Sequence, residues 1–276
     1  MIGLGHYNTL SLKRKTDFGW FLEDDEETEI LLPNKYCSKS FKVGDSIEVF
    51  CYLDSNERPV ATTLSPKIER GKFRFLKVKS ITKSGAFLDM GLEKDLFLPY
   101  REQTRKFSEG EVVLVYCDLD QKSMRLYASM RWKKHLKTEI ENLELNKAYE
   151  ALVVTKTNLG FELIVKEKYQ GLLFFSDLIY DISIGQSLQV YIKNIRPDAK
   201  LDLNLASIGV DRLTQAASEI YERLLQEDGF LPYHDKSSPD EISRVFKMSK
   251  KTFKSALGIL FKQTKIKIEK NGIRLV

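Results

Sequence analysis

Cysteine and histidine are both scarce in this chain of 276 residues. The three cysteines, Cys37, Cys51 and Cys117, form no C-x-x-C pair and have no histidine nearby, so neither a zinc site nor a disulfide framework is expected. Buried thiols are the simpler expectation. The three histidines, His6, His135 and His234, fall in unrelated segments, and no nucleophile, base and orienting residue recur at a catalytic spacing. No enzymatic activity and no cofactor is expected. The chain also lacks any run approaching the roughly 18 apolar residues of a membrane span. Its start, "MIGLGHYNTL", lacks the basic segment and long apolar stretch of a signal peptide, so a cytoplasmic protein without a membrane partner is expected. Acidic residues all but vanish at one end: Ile242 to Val276 holds ten Lys/Arg against one acidic residue, a local +9 in a chain of net +5. Any attraction for nucleic acid is therefore concentrated there. The one dense carboxylate run, "EDDEET" from Glu23 to Thr28, reads as a solvated loop, because adjacent positions rarely converge on one ion without a glycine-shaped loop.

Repetition is what the sequence has in place of these. "TDFGWFLEDD" from Thr16, "TKSGAFLDMG" from Thr82 and "TNLGFELIVK" from Thr157 share a glycine at Gly19, Gly85 and Gly160, offsets of 66 and 75. The same offsets relate Gly44, Gly110 and Gly185, as well as Pro33, Pro99 and Phe174, and Cys51 aligns with Cys117. Each second glycine opens an alternating apolar segment that reads as a strand: "VGDSIEVFCYLD", "EGEVVLVYCDLD" and "IGQSLQVYIKNI". A period this long marks small domains rather than solenoid repeats. Within the second unit, strands are expected at Phe73–Ile81, Ala86–Met90, near Leu96–Leu98, at Val112–Asp118 and at Arg125–Met130, with an irregular or helical turn around Arg101–Phe107. Five short strands with their longest connection between the third and fourth point to a closed Greek-key barrel of the oligonucleotide/oligosaccharide-binding type. Closure removes the exposed edges.

The order of these phrases, first strand, "FGWF" or "SGAF", a "GLLFFSDL"-like third strand, "VGDSIEV" and a basic last strand, resembles the S1 domain, an RNA-binding barrel. The resemblance implies a base-stacking face built from the two rings of F-G-x-F, an aromatic or His twelve residues on, and an Asp followed by an Arg. Carried over, it assigns Phe18, Phe21, Asp54 and Arg58 in the first copy, with Pro33 in the third ring's place. It assigns Phe87, Asp120 and Arg125 in the second, with Ser84 and Pro99 in ring positions. In the third it assigns Phe174 and Lys200, with Leu159 and Glu162 where the phenylalanines would stand. Each of these phenylalanines could equally belong to a barrel core. A spacing of three puts two side chains on opposite faces of a strand, so the fixed glycine is expected to mark a bulge that turns both rings to one side.

After Ile208-Gly209 the alternation stops. A helix is expected from near Asp211 with Ala216, Ile220 and Leu224 on its buried face and Gly229 as its C-cap. "SSPDEISRVF" carries a Ser N-cap, a first-turn proline and two acids, and Ser249 caps a third helix with a buried stripe of Phe253, Leu257, Leu260 and Phe261. "KIKIEKNGIRLV" reads as a hairpin turning at Asn271-Gly272. Three helices and a wing resemble a winged helix-turn-helix, with Lys250, Lys251 and Lys254 on the recognition-helix position. The expected fold is multidomain: three five-stranded S1-like β-barrels over residues 1–66, 70–131 and 145–208, then an α+β winged-helix domain over 211–276. "WKKHLKTEIENLELN", Trp132 to Asn146, reads as a helical spacer, and "LSPKIERG" as a looser link.

This order of domains resembles the conserved virulence factor B family of bacterial regulators, which implies binding of single-stranded RNA and control of gene expression. Two alternatives stay open: a DNA-binding transcription regulator acting on duplex DNA through the winged helix, and docking of the barrels on the ribosome or transcription machinery.

Overall fold

The computed structural model describes residues 1–178, 181–205 and 211–276, with 211–215 described through their backbone alone. The expected break at Ile208-Gly209 and the end of the third unit at residue 208 lie outside the described residues. The first barrel comprises β1 (Tyr7–Thr16), β2 (Gly19–Glu23), β3 (Glu29–Pro33), β4 (Ser46–Leu53) and β5 (Pro59–Thr62). The second comprises β6 (Phe73–Ile81), β7 (Gly85–Leu88), β8 (Leu96–Pro99), β9 (Val112–Leu119) and β10 (Leu126–Ser129). The third comprises β11 (Ala148–Lys156), β12 (Gly160–Val165), β13 (Tyr169–Phe174), β14 (Ser187–Ile195) and β15 (Leu201–Asn204). In each barrel the fifth strand runs parallel to the third and the first strand closes on the fourth.

The fixed glycine has a different cause from the one its sequence suggests. The bulge lies on the facing first strand, where register shifts at Lys13, Lys79 and Val154, positions that keep the 66 and 75 offsets. The glycines themselves sit where β2, β7 and β12 cross closest to the next strand: a Cβ on Gly19, Gly85 or Gly160 would overlap the carbonyl oxygen of Leu32, Leu98 or Leu173. Only glycine leaves room for this approach. The repeated threonine belongs to the same device, since Thr16, Thr82 and Thr157 each donate a hydroxyl to that glycine's own carbonyl at 3.0 Å.

Each barrel has its own core, and several strands also bury their outer face. On β4, Val49 and Cys51 point into the first barrel, while Phe50 and Tyr52 join a cluster with Ile68 of the following link and Leu92 of the second barrel. On β11, Ala151 and Val153 fill the third barrel, while Leu152 and Val154 pack with Phe73 and Leu114 of the second. Burial pushes the thiols of Cys51 and Cys117, both inside barrels, up to about 12, and Cys37 is half-buried.

Both links differ from expectation. Trp132 to Asn146 makes one short 3-10 turn, Trp132–His135, and no longer helix. Its apolar residues find better partners on the barrels: Trp132 and Leu136 enter the cluster between the second and third, Ile140 and Leu143 pack on the third core, and the Glu141 and Glu144 amides donate to the hydroxyls of Tyr169 and Tyr149. Tertiary packing overrides local propensity here. The 65–71 link is anchored rather than loose, with Ile68 buried and the Lys67 and Arg70 amides bonded to Met90 and Gly5 carbonyls at 2.8 and 2.9 Å.

The C-terminal domain packs α1 (Asp211–Gln226), α2 (Pro239–Phe246) and α3 (Lys250–Lys262) on a sheet ordered β16 (Phe230–Leu231), β18 (Gly272–Leu275), β17 (Ile266–Glu269). Ser238 caps α2 in a reciprocal box with Glu241, Ser249 caps α3 through Thr252, and α1 closes in a turn where Asp228 and Gly229 both have positive φ and the Gly229 amide donates to the Leu224 carbonyl at 2.8 Å. Phe261 is 55% exposed, and Ala256 takes its expected place beside Phe253, Leu257 and Leu260. The hairpin turns at Lys270-Asn271, with Gly272 already in β18, because a side chain there would strike the Leu231 carbonyl of the third strand.

Replacing Gly19 or Gly160 with alanine should cost about 3 kcal/mol, the upper range for overpacking. Gly258 in α3 has open space around it, and its alanine variant should gain up to about 1 kcal/mol. Urea unfolding of the three variants checks both; equal effects would mean the strand crossing gives way easily.

Candidate nucleic-acid interface

On the first barrel, Phe18 stands 77% exposed at the start of β2 and lines a groove of about 530 Å³ with Leu31, Pro33, Lys35, Asp54 and Arg58. Phe21 is half-buried on the outer face, outside that lining, with the Arg14 guanidinium 3.9 Å from its ring centre. Asp54 organises the turn between β4 and β5: it accepts the Asn56 and Arg58 amides at 2.8 and 3.0 Å and the Arg58 guanidinium at 2.7 and 3.0 Å. Burial pushes this carboxyl up, but these hydrogen bonds outweigh it and hold it below the ordinary carboxylate range.

The second barrel has a larger groove, about 800 Å³, that brings together Phe87, Asp120 and Arg125. Phe97 on β8 packs on Phe87 with ring centres 5.2 Å apart. The Asp–Arg pair of the first barrel does not recur here. The loop is one residue longer, so Asp120 caps the Lys122 and Ser123 amides at 3.1 and 2.9 Å, and Arg125 forms its ion pair with Glu57 of the first barrel. In the third barrel a groove of about 540 Å³ is lined by Leu159, Glu162, Leu172, Arg196 and Lys200. Phe174 lies outside that lining, with Arg196 5.8 Å from its ring centre, and Lys200 is paired with Asp198 at 2.7 Å. Glu162 is tied to Lys133 at 3.0 Å and Gln170 at 2.8 Å, so this groove presents a carboxylate where the second presents Phe87.

Several groove residues escape the resemblance. Phe97 aligns with Leu31, and Arg101 with Lys35, at the offset of 66, so a basic residue two positions after each proline was a readable signal. Lys94 lines both of the first two grooves, and nothing in the repeat marks it, since its role depends on contact with the neighbouring barrel.

On the winged domain Lys250 is half-exposed and Lys251 and Lys254 exposed at the N-terminal end of α3, whose first turn holds no acid. None of the three is in an ion pair among the described residues. Positive charge at the positive end of a helix dipole is unfavourable by itself and is relieved by a bound anion. Among the described residues no group of three His, Cys, Asp or Glu could hold a metal ion, and no helix is long and apolar enough to cross a membrane.

Three closed five-stranded barrels with grooved outer faces, followed by helices and a small sheet, define a multidomain protein of S1 domains and a winged helix. The S1 domain matches residues 4–64 and 70–131, and the CvfB-like winged helix domain matches residues 218–275. The chain is 29% identical to YitL of Bacillus subtilis (strain 168) over 97% of this chain and 92% of that protein. It is also 29% identical to conserved virulence factor B of Staphylococcus aureus (strain USA300) over 92% of this chain and 83% of that protein. A crystal structure of a multidomain protein with nucleic acid binding domains from Streptococcus pneumoniae is 25% identical, covering 99% of this chain and 98% of its own, with a TM-score of 0.41. By its CvfB-like winged helix domain and by these relatives, the chain is similar to the conserved virulence factor B proteins over most of its length.

Because its folded pKa is depressed, Asp54 adds stability that is complete above the unfolded value of about 3.9 and is lost as pH falls through the folded value. In the R58Q variant the Asp54 midpoint should rise toward that ordinary value in a carboxyl NMR titration. An unmoved midpoint would mean the two backbone amides hold the carboxylate without the guanidinium.

Proposed function

We propose that this chain is an RNA-binding regulatory protein that holds single-stranded RNA on its S1 barrels with electrostatic help from the basic winged helix, and that it acts in post-transcriptional control of gene expression. The observation that carries this reading is the pairing of rings with guanidinium groups in the first two grooves: Phe18 near Arg58, and Phe87 with Phe97 near Arg101 and Arg125. A face that stacks bases and neutralises phosphates suits an unpaired strand, because every base has a stacking surface while a duplex hides it. The third groove, with Glu162 and Leu159 in the ring positions, contributes less.

A second reading rests on α3, which presents three lysines, in no ion pair among the described residues, as a recognition helix would to duplex DNA. Against it, Lys250 to Leu257 contains no Arg, Asn or Gln, the residues that read base edges through two hydrogen bonds. Lysines there neutralise phosphates without selecting sequence.

Replacing Phe18 or Phe87 with alanine should weaken binding of single-stranded RNA by about 1–3 kcal/mol per lost stacked base, measured by fluorescence titration, with the unfolding midpoint held. Unchanged affinity with a lowered midpoint would assign the ring to packing. Replacing Lys250, Lys251 and Lys254 together by glutamine should flatten the slope of log affinity against log salt by about 2 for single-stranded RNA, at about 0.7 per phosphate. Loss of duplex DNA binding with an unaltered RNA slope would favour the DNA-binding reading instead.

A further inference from the structure

We infer that the grooves of the first two barrels form one continuous track for a single nucleic-acid strand, with Lys94 at the crossing and with two ion pairs across the barrel junction that the strand's phosphates must replace. This rests on the single-strand reading above and adds which barrels act together and what restrains them.

Continuity follows from shared walls. Ser55 of the first barrel and Glu93 and Lys94 of the second line both cavities. Lys94, on the loop between β7 and β8, reaches across and donates its ammonium to the Asp54 carbonyl at 2.7 Å, in the very turn that positions Arg58. The barrels do not merely touch at this point. Phe50, Tyr52 and Val60 share a buried cluster with Ile68 and Leu92, which fixes how the two grooves face each other.

The restraint follows from where the cations are held. Arg125 of the second barrel is paired with Glu57 of the first, and Lys35 of the first with Glu93 of the second. Arg125 and Lys35 are thus each occupied by a carboxylate of the other barrel, whereas Arg58 is held by Asp54 of its own. Arg125 and Glu57 are both 51% exposed, and exposed pairs of this kind are weak, so a phosphate that accepts two hydrogen bonds from a guanidinium can displace the carboxylate. Arg101 lines the same cavity and is in no ion pair among the described residues, which leaves it free to attract the strand first. Without the exchange, Glu57 and Glu93 would repel a polyanion lying over the junction.

The test uses the full chain and uridine oligonucleotides of about four and about twelve nucleotides, the shorter matching the lower limit of one barrel's site. The longer strand should bind one per chain and at least about tenfold tighter than the shorter, as linked sites require. F18A and F87A should each weaken this single complex without changing its stoichiometry, and K94Q should shrink the ratio of long to short affinity. E57Q, which releases Arg125 without removing it, should tighten the longer strand severalfold while the unfolding midpoint stays within a few degrees. Two independent strands per chain, a longer strand no tighter than the shorter, or unchanged or weaker binding by E57Q would overturn the track. Binding of neither length would instead overturn the single-strand reading itself.

Discussion

The arrangement of this protein depends on strands that bury both of their faces. A five-stranded barrel needs apolar residues only inside, yet β4 alternates Val49 and Cys51 inward with Phe50 and Tyr52 outward, and β11 and β9 do the same with Leu152, Val154 and Leu114. Apolar surface of this size left in water would be costly, so the outer faces pair with each other and press three small barrels into contact. The ion pairs at the seams, Arg74 with Glu167 and Arg125 with Glu57, rim these apolar contacts rather than create them.

From that packing follows the position of the grooves. The third groove lies over β12 and β13, whereas the first two open beside the junction itself, where Tyr52 and Val60 of the buried cluster also line the first groove. In the first two barrels the junction brings the turn after β4 against the loop after β7, and the charges of one barrel finish the electrostatics of the other. The second barrel's arginine shows this most directly: a single extra residue after Asp120 releases Arg125 from the pairing seen at Asp54 and Arg58, and the neighbouring barrel's Glu57 takes it up.

The repeated glycine illustrates how a correct pattern can have an unforeseen cause. Its recurrence with threonine three residues before it was plain in the chain, and so was its place at the start of a strand. Its reason, a carbonyl of the next strand lying where a Cβ would be, depends on an approach between strands that no local pattern encodes. The bulge exists, but on the opposite strand, where Lys13 and Lys79 give no signal of it.

The sequence by itself determined three five-stranded barrels and the winged helix with its caps, because alternation, fixed offsets and capping residues are local and repeat. Only the tertiary structure decided what depends on two distant segments at once. Trp132 to Asn146 has the spacing of a helix but lies along the third barrel, since Trp132, Leu136, Ile140 and Leu143 bury more surface there than a solvated helix would. Phe261, apolar and at helical spacing, faces outward because the buried face of α3 is already filled by Ala256, Leu257 and Leu260. Lys94 carries no mark in the repeat at all, and it becomes part of a site only because the first barrel's Asp54 carbonyl stands within reach.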